Sequence, residues 1–170
     1  MQDMELYRYV LGLEEPWKVE RVKLDVSRER VDIWASHAES LRWPCPECER
    51  MLSFYDHAPE RVWRHLDTCQ FKTFLHARIP RGKCPDHGVK QVRVRWAEEK
   101  SRFTVLFERL GIEVLKETNI HGARQILRIS WDEAWNLMAR AVRRGKKAKR
   151  KRVCQQIGAM RNRWGRGIII

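Results

Sequence analysis

The sequence of 170 residues lacks acidic side chains in its last part, because no Asp or Glu follows Glu133. It has no apolar run close to the roughly 20 residues that cross a bilayer, and no signal peptide opens the chain. Its cysteines are few and odd in number, at five, which argues against the disulfide framework of a small secreted domain. We therefore expect a cytoplasmic protein with no membrane partner.

Basic residues are abundant and unevenly distributed. Residues 1–100 hold 18 Lys and Arg against 17 Asp and Glu, whereas residues 101–170 hold 17 against 5. The formal charge of +13 therefore comes almost entirely from the second part of the chain. This asymmetry predicts a polyanionic partner, of which nucleic acid is the commonest. With 43% apolar residues and eight Trp, the chain can also build cores, which excludes global disorder.

Apolar residues recur at every second position through much of the first hundred residues. A short amphipathic helix over residues 3–13 comes first. A hairpin with one buried face follows. The apolar residues of that face are Val22, Leu24, Val26, Val31, Ile33 and Ala35. Further strands are predicted over residues 51–55, 62–66, 71–79 and 89–96.

Two short motifs, Cys45-Pro46-Glu47-Cys48 and Cys84-Pro85-Asp86-His87, share one design. Each places two ligand side chains at positions i and i+3 of a sharp turn, and the proline helps to set that turn. Together they supply three Cys and one His, a set that closes a tetrahedral Zn²⁺ site. Four protein ligands leave no open position, so we expect one structural zinc ion. The 35 residues between Cys48 and Cys84 require an inserted hairpin, because a compact zinc ribbon has a shorter separation.

Other assignments for these side chains have less support. The four could be unrelated buried thiols and a surface His, but the repeated spacing argues against that. His65 and Cys69 could compete as ligands, yet neither has a partner at ligand spacing, and Cys69 is expected to be a small buried thiol. A Cys–His nucleophile pair is the third alternative, and zinc explains the same residues better. The role of Cys154 is left open.

From Ser101 the apolar period changes from two to 3.6, which predicts three helices. The first carries an apolar stripe of Phe103, Leu106, Phe107, Leu110 and Val114. Asn119 is expected to cap the second helix. Ser130 and Glu133 match the S-x-x-E capping box, so the third helix should begin at Trp131.

The second and third helices, separated by a tight break at residues 127–130, fit a helix-turn-helix. Its third helix would lie in the major groove of double-stranded DNA. Asn136 suits a bidentate contact with adenine, whereas arginines suit phosphates. The side chains predicted to meet DNA are Ser130, Asp132, Asn136, Arg140, Arg143 and Arg144. The alternative is an ordinary three-helix unit in which Asp132 only complements the helix dipole.

These patterns predict an α+β chain in four parts. A β-rich zinc ribbon over residues 41–98 follows an N-terminal helix and β-hairpin over residues 1–40. A small all-α helix-turn-helix domain occupies residues 101–145. Residues 146–170 form a basic tail that is predicted to be disordered and to add sequence-independent DNA affinity.

Three segments of the chain resemble the ISL-three family of bacterial insertion-sequence transposases. They are residues 62–69, the run 77–89 around the second ligand motif, and residues 96–104. The resemblance covers roughly residues 40–145. It implies a zinc ribbon, a helix-turn-helix that binds the terminal inverted repeats of a mobile element, and a large DDE-type catalytic domain. It also implies a bacterial protein that is nucleoid-associated when it is bound to DNA.

The sequence departs from that family in three places. Arg124 and Arg128 stand where a tight helix-turn-helix has a small residue and a turn glycine. Residues 1–40 match only loosely. After Glu133 there is no acidic residue, whereas two-metal phosphoryl transfer needs clustered carboxylates on a folded domain. We therefore expect a truncated transposase, a non-catalytic DNA-binding fragment.

Two other functions are compatible with the sequence. The zinc ribbon and N-terminal hairpin could form an interaction module that pairs with a full-length transposase or with a second copy. A small zinc-ribbon transcriptional regulator is the other alternative, although no dimerisation helix follows the third helix.

Overall fold

A computed structural model of the protein describes residues 2–38 and 40–148. Within these residues the chain is α+β, as predicted, with strands first and most of the helical structure last. The helices are α1 Gln2–Val10, α2 Val105–Glu117, α3 Ile120–Ile126 and α4 Trp131–Ala148. The strands are β1 Lys18–Asp25, β2 Arg30–Ser36, β3 Trp43–Pro44, β4 Met51–Leu52, β5 Phe54–His57, β6 Arg61–Arg64, β7 Lys72–Ala77, β8 Pro80–Cys84 and β9 Gly88–Gln91.

The largest sheet has four strands in the order β1-β2-β7-β6. The two hairpins β1–β2 and β6–β7 are antiparallel, and they join through a parallel pairing of β2 with β7. The hairpin β6–β7 is the insertion that the separation of the two ligand motifs requires. This sheet therefore contains strands from both sides of the boundary at residue 40 that the sequence predicts. Val31 and Ile33 of β2 are buried in the same core as Leu75 of β7, the strand that continues the sheet beside them.

One face of this sheet forms the main hydrophobic core. Ile33, Trp63 and Leu75 are fully buried on it, and Trp17 and Trp96 pack there from the flanking loops. The alternation that predicts one buried face is thus confirmed for the inner strands. It is wrong for the outer part of the first hairpin, where Leu24 is 52% and Val26 67% exposed. Leu24 lies near the end of the edge strand β1, and Val26 lies in the turn that follows it.

Two smaller sheets, β3–β4 and β5–β8–β9, hold the two ligand motifs at their turns. They approach each other closely where Gly82 of β8 faces Leu52 of β4. A Cβ at position 82 would lie 2.6 Å from the Leu52 Cβ. The small sheets can therefore meet only because residue 82 has no side chain.

The three C-terminal helices pack around a second core. Its buried residues are Phe103, Phe107, Ala123, Leu127 and Leu137. Of the predicted stripe on α2, Leu110 is 46% exposed, and Gly111 instead faces Leu137. Both predicted helix caps are present. The Asn119 side chain accepts from the Gly122 amide at 2.9 Å. The Glu133 amide donates to the Ser130 hydroxyl at 3.2 Å, and the Ser130 amide donates to the Glu133 carboxylate at 2.9 Å.

The helices are attached to the end of β6. The Arg64 amide donates to the Arg102 carbonyl at 2.8 Å, and the Thr104 amide donates to the Arg64 carbonyl at 3.0 Å. His65, fully buried, lies next to Thr104, with 2.9 Å between its Nδ1 and the Thr104 Oγ1. Burial lowers the pKa of His65 to about 4, so the imidazole is neutral at physiological pH.

Arg128 connects the turn of the helix-turn-helix to the sheet. Its φ of +55° is the left-handed conformation that a glycine adopts most readily. The guanidinium donates to the Gln70 carbonyl at 2.5 Å, to Glu29 at 2.6 Å and to Asp67 at 3.3 Å. The arginine that departs from the expected turn glycine therefore keeps the left-handed turn and adds three contacts to the other part of the molecule.

Helix α4 continues to Ala148, three residues past the expected end of the helical domain. The rest of the predicted tail, with Cys154, lies outside the described residues. No described helix combines the length and the apolar character that a membrane span requires.

Candidate metal centre and nucleic-acid interface

Each ligand motif occupies a tight turn between two short strands. In the first turn the Cys45 amide donates to the Arg50 carbonyl at 2.9 Å, and Glu49 has a φ of +60°. In the second turn Cys84 pairs with Gly88 across the β8–β9 hairpin, and Gly88 has a φ of +68°. These turns direct both ligands of each motif to the same side of the backbone.

Close packing and two ion pairs hold the turns together. Cys45 and Cys84 are buried with Leu52 between the small sheets. Arg50 beside the first motif pairs with Asp86 of the second at 3.1 Å. Across the same junction Lys90 pairs with Glu47 at 3.5 Å. The two motifs, 35 residues apart in the chain, thus form one site.

The four ligand atoms have the separations of a tetrahedral metal site. They all lie within 4.8 Å of one another. The Cys48 and Cys84 sulfurs are 3.7 Å apart, and the His87 Nδ1 is 3.5 Å from the Cys84 sulfur and 4.0 Å from the Cys45 sulfur. Ideal Zn²⁺ geometry requires about 3.8 Å between sulfurs and about 3.6 Å between sulfur and nitrogen. The residues therefore fit one zinc ion.

The electrostatics of the site favour a thiolate at Cys84. Burial raises the pKa of this thiol, but hydrogen bonds from the His87 side chain and from the Asp86 and His87 amides outweigh burial and lower the pKa to about 6. A thiolate is the form that binds zinc. The donor set, its geometry and this charge state all suit a structural ion.

The competing ligands lie elsewhere. His65 is buried against Thr104 in the helical part. Cys69 is exposed, which contradicts the expected buried thiol. It occupies the turn between β6 and β7 with a φ of +54°. Apolar periodicity carries no information about the exposure of such a turn residue.

Four of the six residues predicted to meet DNA lie on the exposed surface of α4 or at its start. Ser130 and Asp132 are exposed at the N-terminal end, and Asn136 and Arg143 are exposed farther along. Ser130 also caps the helix through its hydroxyl. Ala134 and Leu137 on the opposite side are fully buried, so the exposed polar residues form a face of α4 that points away from the helical core.

Arg140 and Arg144 do not belong to that polar face. Both contact Glu108, a carboxylate of α2 that is only 3% exposed. Arg140 donates to one of its oxygens at 2.7 Å and Arg144 to the other at 2.8 Å. Arg144 also pairs with Glu98 at 2.6 Å. Both arginines thus face α2, and their predicted contact with DNA stays a prediction.

Helical spacing could have revealed this difference. Positions 140 and 144 lie three and seven residues after Leu137, which places them on its side of the helix. Asp132, Asn136 and Arg143 lie on another side of the helix, and helical spacing places position 146 on that same side. Lys146 is exposed there, and sequence reasoning missed it. We define the outward face of α4 as Asp132, Asn136, Arg143 and Lys146.

Comparison with known proteins agrees with both parts of this geometry. A family model described as zinc-finger of transposase IS204/IS1001/IS1096/IS1165 matches residues 41–87. A second, described as helix-turn-helix domain of transposase family ISL3, matches residues 92–142. The chain belongs to the ISL3 transposase family. The two matches of this ISL3 chain together cover more than half of its length. No curated protein and no solved structure matches it.

The family assignment confirms the zinc ribbon and the helix-turn-helix expected from the sequence. Cys45, Cys48, Cys84 and His87 cluster as a single candidate metal site, with His87 the last residue of the matched zinc-finger segment. Helices α2 and α3 lie within the second matched segment, and α4 begins in it and extends past its end. The ISL3 chain therefore carries a zinc-binding domain and a DNA-binding domain of a transposase.

Proposed function

We propose that this ISL3-family chain binds double-stranded DNA at the terminal inverted repeats of a mobile element. The observation that carries the proposal is the outward face of α4. Its residues are exposed, while Leu137 packs the opposite side of the helix into the core and Arg140 ties that side to α2. A helix fixed on one side and polar on the other is the element that enters a major groove.

The outward face divides into two roles. Asn136 lies near the start of α4, where a recognition helix reaches base edges, and its amide can bond adenine at two atoms. Arg143 and Lys146 lie nearer the C-terminal end and suit phosphates. Asp132 can accept from a cytosine amino group. The four-stranded sheet has a supporting role, because the loops of its two hairpins hold the turn before α4 through Arg128.

We also propose that the described part of the chain binds DNA without cleaving it. Phosphoryl transfer by two metal ions needs several carboxylates around the ions. Among residues 2–38 and 40–148, the one cluster able to hold a metal consists of three Cys and one His. Both matched segments are binding domains by their descriptions. Consistent with DNA as partner, we place the protein in the bacterial cytoplasm, on the nucleoid when it is bound.

Binding to labelled inverted-repeat DNA and to a shuffled duplex tests this proposal. Asn136→Ala should reduce the preference for the specific duplex by about 1–3 kcal/mol. Lys146→Ala should weaken binding to both duplexes alike and reduce the dependence of log Kd on log salt by about one. Gln91→Ala, an exposed polar residue on β9, is the matched control and should change neither quantity.

Two outcomes would contradict the proposal. If the wild-type chain binds both duplexes equally at physiological salt, it does not recognise inverted repeats. If Arg140→Ala reduces the salt dependence while Lys146→Ala leaves it unchanged, the outward face of α4 is not the DNA surface.

A further inference from the structure

Helix α4 has a third face that neither the core nor the proposed DNA contact uses. Trp131, Trp135, Met138 and Val142 follow one another at spacings of four, three and four residues and form a continuous apolar stripe. Trp131 is 48%, Trp135 51% and Val142 50% exposed. Contiguous exposed apolar side chains on a soluble protein indicate a contact surface.

A cavity of about 450 Å³ lies beside this apolar stripe. It opens between α4 and the junction of α2 with α3. Trp131 and Met138 form one wall, and Leu115 and Ile120 form the other. The same surface therefore presents a projecting indole, at Trp135, and a recess able to receive an indole. A surface that carries both a projection and its recess is self-complementary, as a two-fold interface requires.

We propose that a second copy of this chain covers the apolar stripe, with the two α4 helices antiparallel across a two-fold axis. The spacing of four, three and four residues is the same in both directions along the helix. In an antiparallel pair Trp131 therefore lies opposite Val142 of the partner subunit. Trp135 lies opposite Met138 of the partner subunit and enters the partner's cavity.

The charges on α4 select this orientation. Its first turn carries Asp132 and Glu133, whereas Arg143, Lys146 and Lys147 lie near its C-terminal end. An antiparallel pair brings the acidic turn of each copy toward the basic end of the other. A parallel pair would bring the two basic ends together, which is unfavourable.

The contact is smaller than that of an obligate dimer. Four side chains per copy, three of them half exposed, cover less than the roughly 800 Å² per partner of a standard interface. We therefore expect monomer and dimer in an equilibrium that depends on protein concentration. This equilibrium does not rest on the proposed DNA function and is measured without DNA.

Sedimentation equilibrium of the zinc-loaded chain tests the proposal. The wild type should show a reversible monomer–dimer equilibrium, and Trp135→Ala should raise its dissociation constant at least about tenfold. Leu110→Ala is the matched control, because Leu110 is 46% exposed but lies on α2, outside the apolar stripe of α4. Bound zinc and helix content show that each variant is folded. A monomer at all concentrations, or equal effects of the two variants, would overturn the proposal.

Disulfide cross-linking tests the orientation, in a Cys69→Ser, Cys154→Ser background. A mixture of Trp131→Cys and Val142→Cys chains should form a covalent dimer, and neither variant should do so alone. Cross-linking of Val142→Cys with itself would indicate a parallel pair and would contradict the proposal. A chain that carries both Trp131→Cys and Val142→Cys gives a further check. If both cysteines are protected from reaction while the protein stays monomeric, a segment of the same chain covers the apolar stripe, and the proposal is wrong.

Discussion

Replacing Glu108 by Gln changes one buried carboxylate to an amide of nearly the same size. In the wild type this carboxylate accepts from Ser101 at 2.7 Å, from Arg140 at 2.7 Å and from Arg144 at 2.8 Å. The amide keeps one oxygen as an acceptor and turns its NH₂ group toward an arginine. Arg140 then loses its carboxylate in a site where its side chain is only 26% exposed.

The expected cost is intermediate between that of buried and surface ion pairs. Removing one partner of a fully buried pair costs about 3–5 kcal/mol. Here Arg144 is 37% exposed and retains Glu98 at 2.6 Å, so its contribution is largely screened. Most of the loss falls on Arg140. We expect Glu108→Gln to lower the free energy of unfolding by about 2 kcal/mol.

Urea unfolding at neutral pH, in excess zinc and followed by helix content, measures this loss. Glu98→Gln is the matched control, because it removes the exposed partner of Arg144 and should cost less than about 1 kcal/mol. A double-mutant cycle of Glu108→Gln with Arg140→Met isolates the interaction between these two side chains. We expect a coupling free energy of at least about 1 kcal/mol. If Glu108→Gln is no more destabilising than Glu98→Gln, the buried carboxylate does not hold α4, and the reasoning fails.

Three further predictions concern the rest of the structure. Gly82→Ala should separate the small sheets, because its Cβ would meet the Leu52 Cβ at 2.6 Å, and zinc affinity measured by chelator competition should fall. Cys84→Ser should abolish stoichiometric zinc binding while Trp63 keeps its buried fluorescence, because Trp63 packs in the main core and not in the cluster of Cys45, Leu52 and Cys84. His65 has a pKa of about 4 when folded and about 6.5 when unfolded, so protons bind preferentially to the unfolded chain. Stability should fall by about 3 kcal/mol as the pH decreases from 6.5 to 4, and His65→Gln should flatten this part of the profile.

The features that the sequence predicts correctly are those that short spacings determine. Two ligands at i and i+3 in each motif identify Cys45 and His87 without knowledge of the fold. The capping box of Ser130 and Glu133 likewise depends on residues three positions apart at the start of a helix. In both cases the two residues of each pair, i and i+3, are neighbours in the chain, so a local pattern is sufficient.

The features that the sequence misses depend on which distant segments meet. Nothing in β2 indicates that it pairs with β7, because its alternation fits any neighbour. The ion pairs of Arg140 and Arg144 escape prediction, because their partner Glu108 lies on another helix. The exposed turn residue Cys69 escapes prediction for a similar reason, because its left-handed backbone follows from the hairpin that it closes.

The helix-turn-helix of this chain depends on the sheet for its geometry. Arg64, at the end of β6, satisfies the backbone groups of Arg102 and Thr104 just before α2 begins. His65 then bonds the Thr104 hydroxyl, which caps α2 through the Phe107 amide. Arg128 fixes the turn before α4 to loops of both large hairpins. Because the start of α2 and the start of α4 are each bonded to the sheet, the direction of the outward face is set by the sheet as well as by helix packing. The residues before position 101 therefore help to fix the direction of α4, the helix that we propose to contact DNA.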